Sequence, residues 1–212
     1  MNAEFAQAMR SLPMVAILRG IRLAEIDAIG EVLAQAGFKL IEVPLTSPDA
    51  FDSIARLVRK MEPDVIVGAG TVRRIEQLDR LVDAGGRLMV TPHADTELIR
   101  AAVAANLATL PGVATPTEAF AALDAGADGL KLFPSSSLPP ECVAAFRTVV
   151  GEDVPLCPTG GIEPNDLARY LAAGASGFGL GGGLYRPGDD ASAVAAKADA
   201  YVQMWQSLHA EG

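Results

Sequence analysis

The chain has 212 residues, half of them hydrophobic and 20% charged, with a formal net charge of −9. That length can bury one large core, and the apolar content excludes disorder. The acidic balance argues against a nucleic-acid binder, which shows a basic patch, and against a surface that attracts anionic lipid. Two cysteines, Cys142 and Cys157, cannot make a disulfide framework. Aromatic residues are only 5%, so the core must be built from Ala, Val, Leu and Ile.

Met1–Arg10 carries Glu4 and Arg10 and lacks the apolar core of an export signal. No apolar stretch of about 20 residues free of turn residues appears. With free thiols, these features predict a cytoplasmic protein with no membrane span. Asn2–Ser11 then reads as an extra N-terminal helix.

Eight short apolar runs follow, each trailed by an Ala-rich amphipathic stretch. Met14–Gly20 precedes a helix over Leu23–Ala36, stopped by Gly37. Leu40–Leu45 precedes Pro48–Met61, and Val65–Thr71 precedes Ile75–Ala84 with Gly85-Gly86 as the stop. Leu88–Pro92 precedes Asp95–Ala105, and Ala108–Val113 precedes Thr117–Ala125 with Gly126. Gly129–Pro134 precedes Pro140–Val150. Val154–Gly161 precedes Pro164–Ala173 with Gly174, and Gly177–Leu184 precedes Ala193–Leu208. Glycine after a periodic stretch is a helix stop. Continuous rather than alternating apolar runs mean strands buried on both faces, the parallel α/β pattern. Eight units at roughly 20–25 residues each predict a single-domain (β/α)8 TIM barrel over residues 1–212, with the N-terminal helix closing its bottom. The competing architecture, an open doubly wound sheet, usually shows a Gly-rich loop after its first strand, and none is present.

In such a barrel the chemistry lies where the strands end. Three charged residues interrupt the apolar runs, each late in its run: Arg19, Glu42 and Lys131. Brought to one mouth they would form a compensating cluster. The competing reading is a structural ion pair, which is costly against apolar packing. Of the four lysines, Lys39, Lys60 and Lys197 fall at helix-like ends or polar faces, whereas Lys131 is flanked by Leu130, Leu132 and Phe133. Desolvation and a neighbouring Arg19 would lower its pKa. Moving a lysine from about 10.4 to about 7 costs roughly 4–5 kcal/mol. The neutral amine can then attack a carbonyl and form a Schiff base. Glu42, the one carboxylate inside a strand run, could move protons beside it, or merely pair its charge.

The ends of the seventh and eighth runs are glycine-rich: Thr159-Gly160-Gly161, and Gly179–Gly183 with Gly181 and Gly182 at its centre. Backbone N–H groups there can hold a phosphate. Gly68–Thr71 and Thr91-Pro92-His93 end the third and fourth runs with groups suited to a carboxylate. No His/Asp/Glu cluster has metal spacing, so no metal or other cofactor is expected. Cys142 and Cys157 read as small core fillers.

An ordered set of motifs then stands out: ILRG at Ile17–Gly20, EVPLTSP at Glu42–Pro48, GAGT at Gly68–Thr71, VTP at Val90–Pro92, PG at Pro111-Gly112, KLFPSS at Lys131–Ser136, TGGI at Thr159–Ile162 and GLGGGLYRPG at Gly179–Gly188. Over nearly its whole length the sequence resembles the bacterial family of 2-keto-3-deoxy-6-phosphogluconate and 6-phosphogalactonate aldolases. The resemblance implies a (β/α)8 barrel assembled as a homotrimer, acting without a cofactor on a small phosphorylated keto acid. It implies Lys131 as the Schiff-base lysine and Glu42 as the general acid–base. Arg19, Thr71 and Pro92 would line the pyruvate-carboxylate end, with Phe133 beside the lysine, and Gly160, Gly161, Gly181 and Gly182 would cradle the phosphate. Most motifs look like the galactonate branch, which implies cleavage of 2-dehydro-3-deoxy-6-phosphogalactonate to pyruvate and glyceraldehyde 3-phosphate. Thr159 looks like the gluconate branch, which implies some turnover of the C4 epimer. Gly182 stands where the family often has Ser, leaving only a backbone N–H. Two readings from other classes compete: a phosphosugar epimerase or isomerase, which needs a metal or a His/Asp pair, and a phosphate-ligand sensor, which needs no buried lysine.

Overall fold

A computed structural model describes residues 1–210 of the chain. Its elements in order are α1 (Ala3–Ser11), β1 (Met14–Ile17), α2 (Ile26–Gln35), β2 (Leu40–Pro44), α3 (Ala50–Lys60), β3 (Ile66–Gly70), α4 (Glu76–Asp83), β4 (Leu88–Thr91), α5 (Thr96–Ala104), β5 (Ala108–Val113), α6 (Pro116–Asp124), β6 (Leu130–Leu132), α7 (Pro140–Arg147), β7 (Leu156–Pro158), a 3-10 turn (Pro164–Asp166), α8 (Leu167–Ala172), β8 (Phe178–Leu180) and α9 (Ala191–Ala210). Every predicted strand and helix is present.

The eight strands pair in parallel in the order β7-β6-β5-β4-β3-β2-β1-β8, and a parallel bridge between Thr159 and Gly179 joins the two ends. This is a (β/α)8 barrel. Every strand residue is buried, as the unbroken apolar runs required. The two-residue period sorts the side chains into two cores. Val15, Leu40, Ile66, Leu88, Val90, Ala108, Leu110 and Cys157 meet inside the barrel. Their strand neighbours Met14, Ala16, Ile41, Val67, Met89 and Leu156 face the helices.

Helix α1 closes one end of the barrel. Phe5 and Ala8 enter the interior cluster, and Asn2 caps the helix by accepting from the Glu4 and Phe5 amides. Helix α6 opens on a capping box between Thr115 and Glu118 with Pro116 in its first turn. Gly37 and Gly174 take φ of 99° and 96° just past their helices, as their placement predicted.

Several apolar runs end as strands earlier than the sequence suggested, among them the first and the eighth. The first stops at Ile17, because Gly20 turns the chain with φ of 79° and its amide donates to Ser47 Oγ at 2.8 Å. The eighth stops at Leu180, because the Leu184 and Tyr185 amides fold back onto the Gly181 carbonyl. Both changes lengthen loops at the open end of the barrel.

Candidate active site

The residues that follow Cys157, Leu40 and Gly129 at two-residue steps continue the barrel interior toward the strand C-termini. They are Thr159, Glu42 and Lys131, and all three are buried. Strand pairing sets the ring: Glu42 sits opposite Gly68 and Ile17, and Lys131 opposite Gly112 and Cys157. Across the barrel, Lys131 Nζ comes within 3.8 Å of Glu42 Oε1. That is ion-pair range, beyond hydrogen-bond range. Neither carboxylate oxygen of Glu42 has a hydrogen-bond partner.

The room for this carboxylate comes from the next strand. A Cβ on Gly70 would land on the Glu42 carboxylate, so only glycine leaves the space. Beside it, Gly112 lies so close to the Pro92 backbone that a side chain there would collide. Sequence reasoning did not single out Gly70. Its signal was the GAGT segment at Gly68–Thr71, where two glycines stand in an apolar strand.

Burial lowers the Lys131 amine from the ordinary lysine range; Glu42 opposes that shift and Arg19 adds to it. Burial likewise raises the Glu42 carboxyl, against the pull of Lys131 and Arg19. Both groups are therefore held toward their neutral forms, the states in which one is a nucleophile and the other carries a proton. The Phe133 ring lies 5.2 Å from Nζ, making one wall.

Arg19 departs from the predicted cluster. It lies past β1 in an exposed loop, and its guanidinium donates to Thr46 Oγ1 at 3.2 Å. It therefore acts on the pair through its field rather than as a buried third member. Thr71 is half-buried with φ of 56°, a strained conformation for a β-branched residue. Pro92 is half-buried at the end of β4, and the neighbouring Thr91 Oγ1 and His93 Nδ1 lie 2.7 Å apart.

Thr159 donates its hydroxyl proton to the Cys157 carbonyl at 3.1 Å, and its side chain occupies the space over Gly179. Toward any ligand its oxygen can then only accept. Gly160 and Gly161 take φ of 109° and 79°, and nothing crowds Gly161 or Gly181. Gly182 is exposed, and its carbonyl accepts from Arg186 Nε at 2.8 Å. Ser135, which the sequence reading also passed over, ties the Lys131 strand to this loop. Its amide donates to the Thr159 carbonyl at 2.9 Å and its hydroxyl to the Gly160 carbonyl. The signal was present in the KLFPSS segment.

Burial pushes the Cys157 thiol up to about 12, so it stays protonated. Among the described residues, no three His, Cys, Asp or Glu side chains stand together as a metal cluster, and no helix is long and apolar enough to cross a membrane.

A buried amine beside a buried carboxylate, at the mouth of an eight-stranded barrel, is the equipment of an enzyme that handles carbonyl compounds. The chain matches the aldolase family described as KDPG and KHG aldolase over residues 5–195. It is 43% identical over 197 residues to a protein of Rhizobium meliloti (strain 1021) named "Probable 2-dehydro-3-deoxy-6-phosphogalactonate aldolase", covering 93% of each chain. It is 42% identical over 195 residues to the 2-dehydro-3-deoxy-6-phosphogalactonate aldolase of Escherichia coli (strain K12), covering 92% of this chain and 95% of that one. A solved structure described as native KDPGal superposes with a TM-score of 0.92 at 41% identity, covering 94% of this chain and 97% of the other. The chain belongs to the KDPG and KHG aldolase family, and it is an aldolase, hence a lyase.

Proposed function

We propose that the chain is a class I aldolase that cleaves 2-dehydro-3-deoxy-6-phosphogalactonate to pyruvate and glyceraldehyde 3-phosphate. The observation that carries this reading is the buried Lys131–Glu42 pair, 3.8 Å apart with no hydrogen bond on the carboxylate. Neutral Nζ adds to the C2 carbonyl, and Glu42 hands a proton to the resulting oxygen so that water can leave. The protonated imine draws electrons from the C3–C4 bond as the C4 hydroxyl gives its proton to the Glu42 carboxylate, which releases glyceraldehyde 3-phosphate and leaves Glu42 protonated for the next step. The remaining enamine is protonated at C3, and water hydrolyses the imine to free pyruvate and Lys131. Each proton move needs a group that can hold a proton and give it back, and burial raises the Glu42 carboxyl in that direction.

In this reading Arg19, Thr71 and Pro92 line the pyruvate-carboxylate end, and Phe133 packs beside Lys131. The amides of Gly160, Gly161, Gly181 and Gly182 hold the phosphate. The galactonate configuration is favoured by the motifs and by the names of the relatives at 42% and 43% identity. Thr159 favours some turnover of the gluconate epimer. We further read the protein as a cytoplasmic homotrimer, which light scattering would test at three times 22.0 kDa.

Borohydride added with pyruvate tests the chemistry. One covalent adduct, on Lys131, is expected. An adduct on Lys39, Lys60 or Lys197, or no adduct, sinks the Schiff-base assignment.

A further inference from the structure

The two glycine-rich loops come from different strands, and a buried side chain from α9 reaches both. Tyr201, on α9, is fully buried, and its hydroxyl donates to the Ile162 carbonyl at 2.8 Å. Ile162 directly follows Gly160-Gly161, at the entrance to the 3-10 turn. From the other loop, Gly183 presses on the same spot. A Cβ there would land on the Tyr201 hydroxyl and come within 3.1 Å of both the Ile162 carbonyl and a Glu163 carboxylate oxygen.

We propose that Tyr201 is a positioning residue for the phosphate end of the substrate: its phenol pins the loop after β7 against the loop after β8 and so fixes the spacing of the two glycine clusters. This rests on the reading of those glycines as the phosphate cradle. Several N–H groups share one anion only if both loops hold their spacing. The Ile162 carbonyl is a buried acceptor at a turn entrance, and the phenol is its donor. Burial, with Glu163 and Asp166 nearby, raises the phenol well above its ordinary value, so that donor keeps its proton. Tyr201 reaches neither Lys131 nor Glu42 by any hydrogen bond or ion pair. Its effect should therefore fall on phosphate recognition and spare the amine chemistry.

The test is Tyr201→Phe, which keeps the ring and removes the donor. Three readouts are taken on the full chain: KM for the phosphorylated substrate, inhibition by inorganic phosphate, and exchange of the pyruvate methyl protons with deuterated solvent. Pyruvate has no phosphate, so its exchange reports the Lys131–Glu42 end of the site and not the phosphate end. A rise of about threefold to tenfold in both KM and the phosphate inhibition constant is expected, the range of one lost hydrogen bond, with exchange within twofold of the parent. Gly183→Ala crowds the same contact from the other loop and should give the same split. In the double variant the missing oxygen makes room for the new methyl, so the two effects should combine to less than their product.

Equal losses in exchange and in phosphate affinity, or no change in any readout, would overturn the proposal. If Tyr201→Phe does not fold, Gly183→Ala decides the matter by the same criteria. Absence of pyruvate exchange in the parent protein would instead overturn the aldolase mechanism, which keeps the two failures distinct.

Discussion

Gly70→Ala probes the seat of the Glu42 carboxylate without replacing either charged residue. The added methyl must overlap that carboxylate, and the wall cannot retreat easily. Glu42 is fully buried on β2, and its strand partner Gly68 is backed directly by the Leu88 backbone. Glu42 must therefore swing off its present rotamer, at about 0.5–1.5 kcal/mol, within a core where overpacking costs about 1–3 kcal/mol. At roughly 2–4 °C per kcal/mol for a chain of this size, Tm should fall by about 2–12 °C. A displacement of about 1 Å at a reacting group costs on the order of 10²-fold in rate. Pyruvate methyl-proton exchange, followed by NMR in deuterated solvent, should therefore slow by about 10–10³-fold. Borohydride should still trap pyruvate on Lys131, though more slowly, because the amine remains while the carboxylate that helps water leave has moved. Exchange at the parent rate in a folded Gly70→Ala protein would show that the carboxylate does not carry the proton from this position.

Three further outcomes follow from the geometry. Arg19 helps hold the Lys131 amine down, so Arg19→Met should raise the pH at which that amine becomes reactive. Reductive methylation of Lys131 by formaldehyde and cyanoborohydride, followed across pH, reads this directly, because the neutral amine fraction grows as pH rises through its pKa; a downward move or none contradicts the field argument. Thr159→Val removes an acceptor worth about 0.5–1.5 kcal/mol, so the ratio of kcat/KM values for the two C4 epimers should shift roughly 2–13-fold toward the galactonate form. An unchanged ratio would mean that the hydroxyl, committed to Cys157, meets neither epimer. Activity should survive dialysis against EDTA, since the proton and electron movements all run through Lys131 and Glu42. Loss with recovery on adding a divalent ion would place the protein in a different mechanistic class.

How far the site was legible depended on the range of the physics. Lys131 and Glu42 announce themselves because a charge inside an apolar run is costly unless something uses it. The turn after β7 was legible because two glycines follow the strand, and Gly160 and Gly161 take positive φ there. Arg19 misled in part. It looks like a strand residue in ILRG, yet the turn at Gly20 and its bond to Ser47 move it into an exposed loop. That bond joins two strand ends whose proximity no local pattern encodes.

The sequence by itself determined the alternation of strands and helices, the burial of both strand faces, and the two residues that carry charge into the barrel. All of these follow from local periodicity and from the energetic oddity of a charge among apolar neighbours. Only the tertiary structure decided that Lys131 and Glu42 stand 3.8 Å apart, that Gly70 makes room for the carboxylate, and that Tyr201 joins two loops from different strands. Those relations are set by the parallel register and by closure of β7 onto β8. Register is a property of paired strands, and no single stretch of chain contains it.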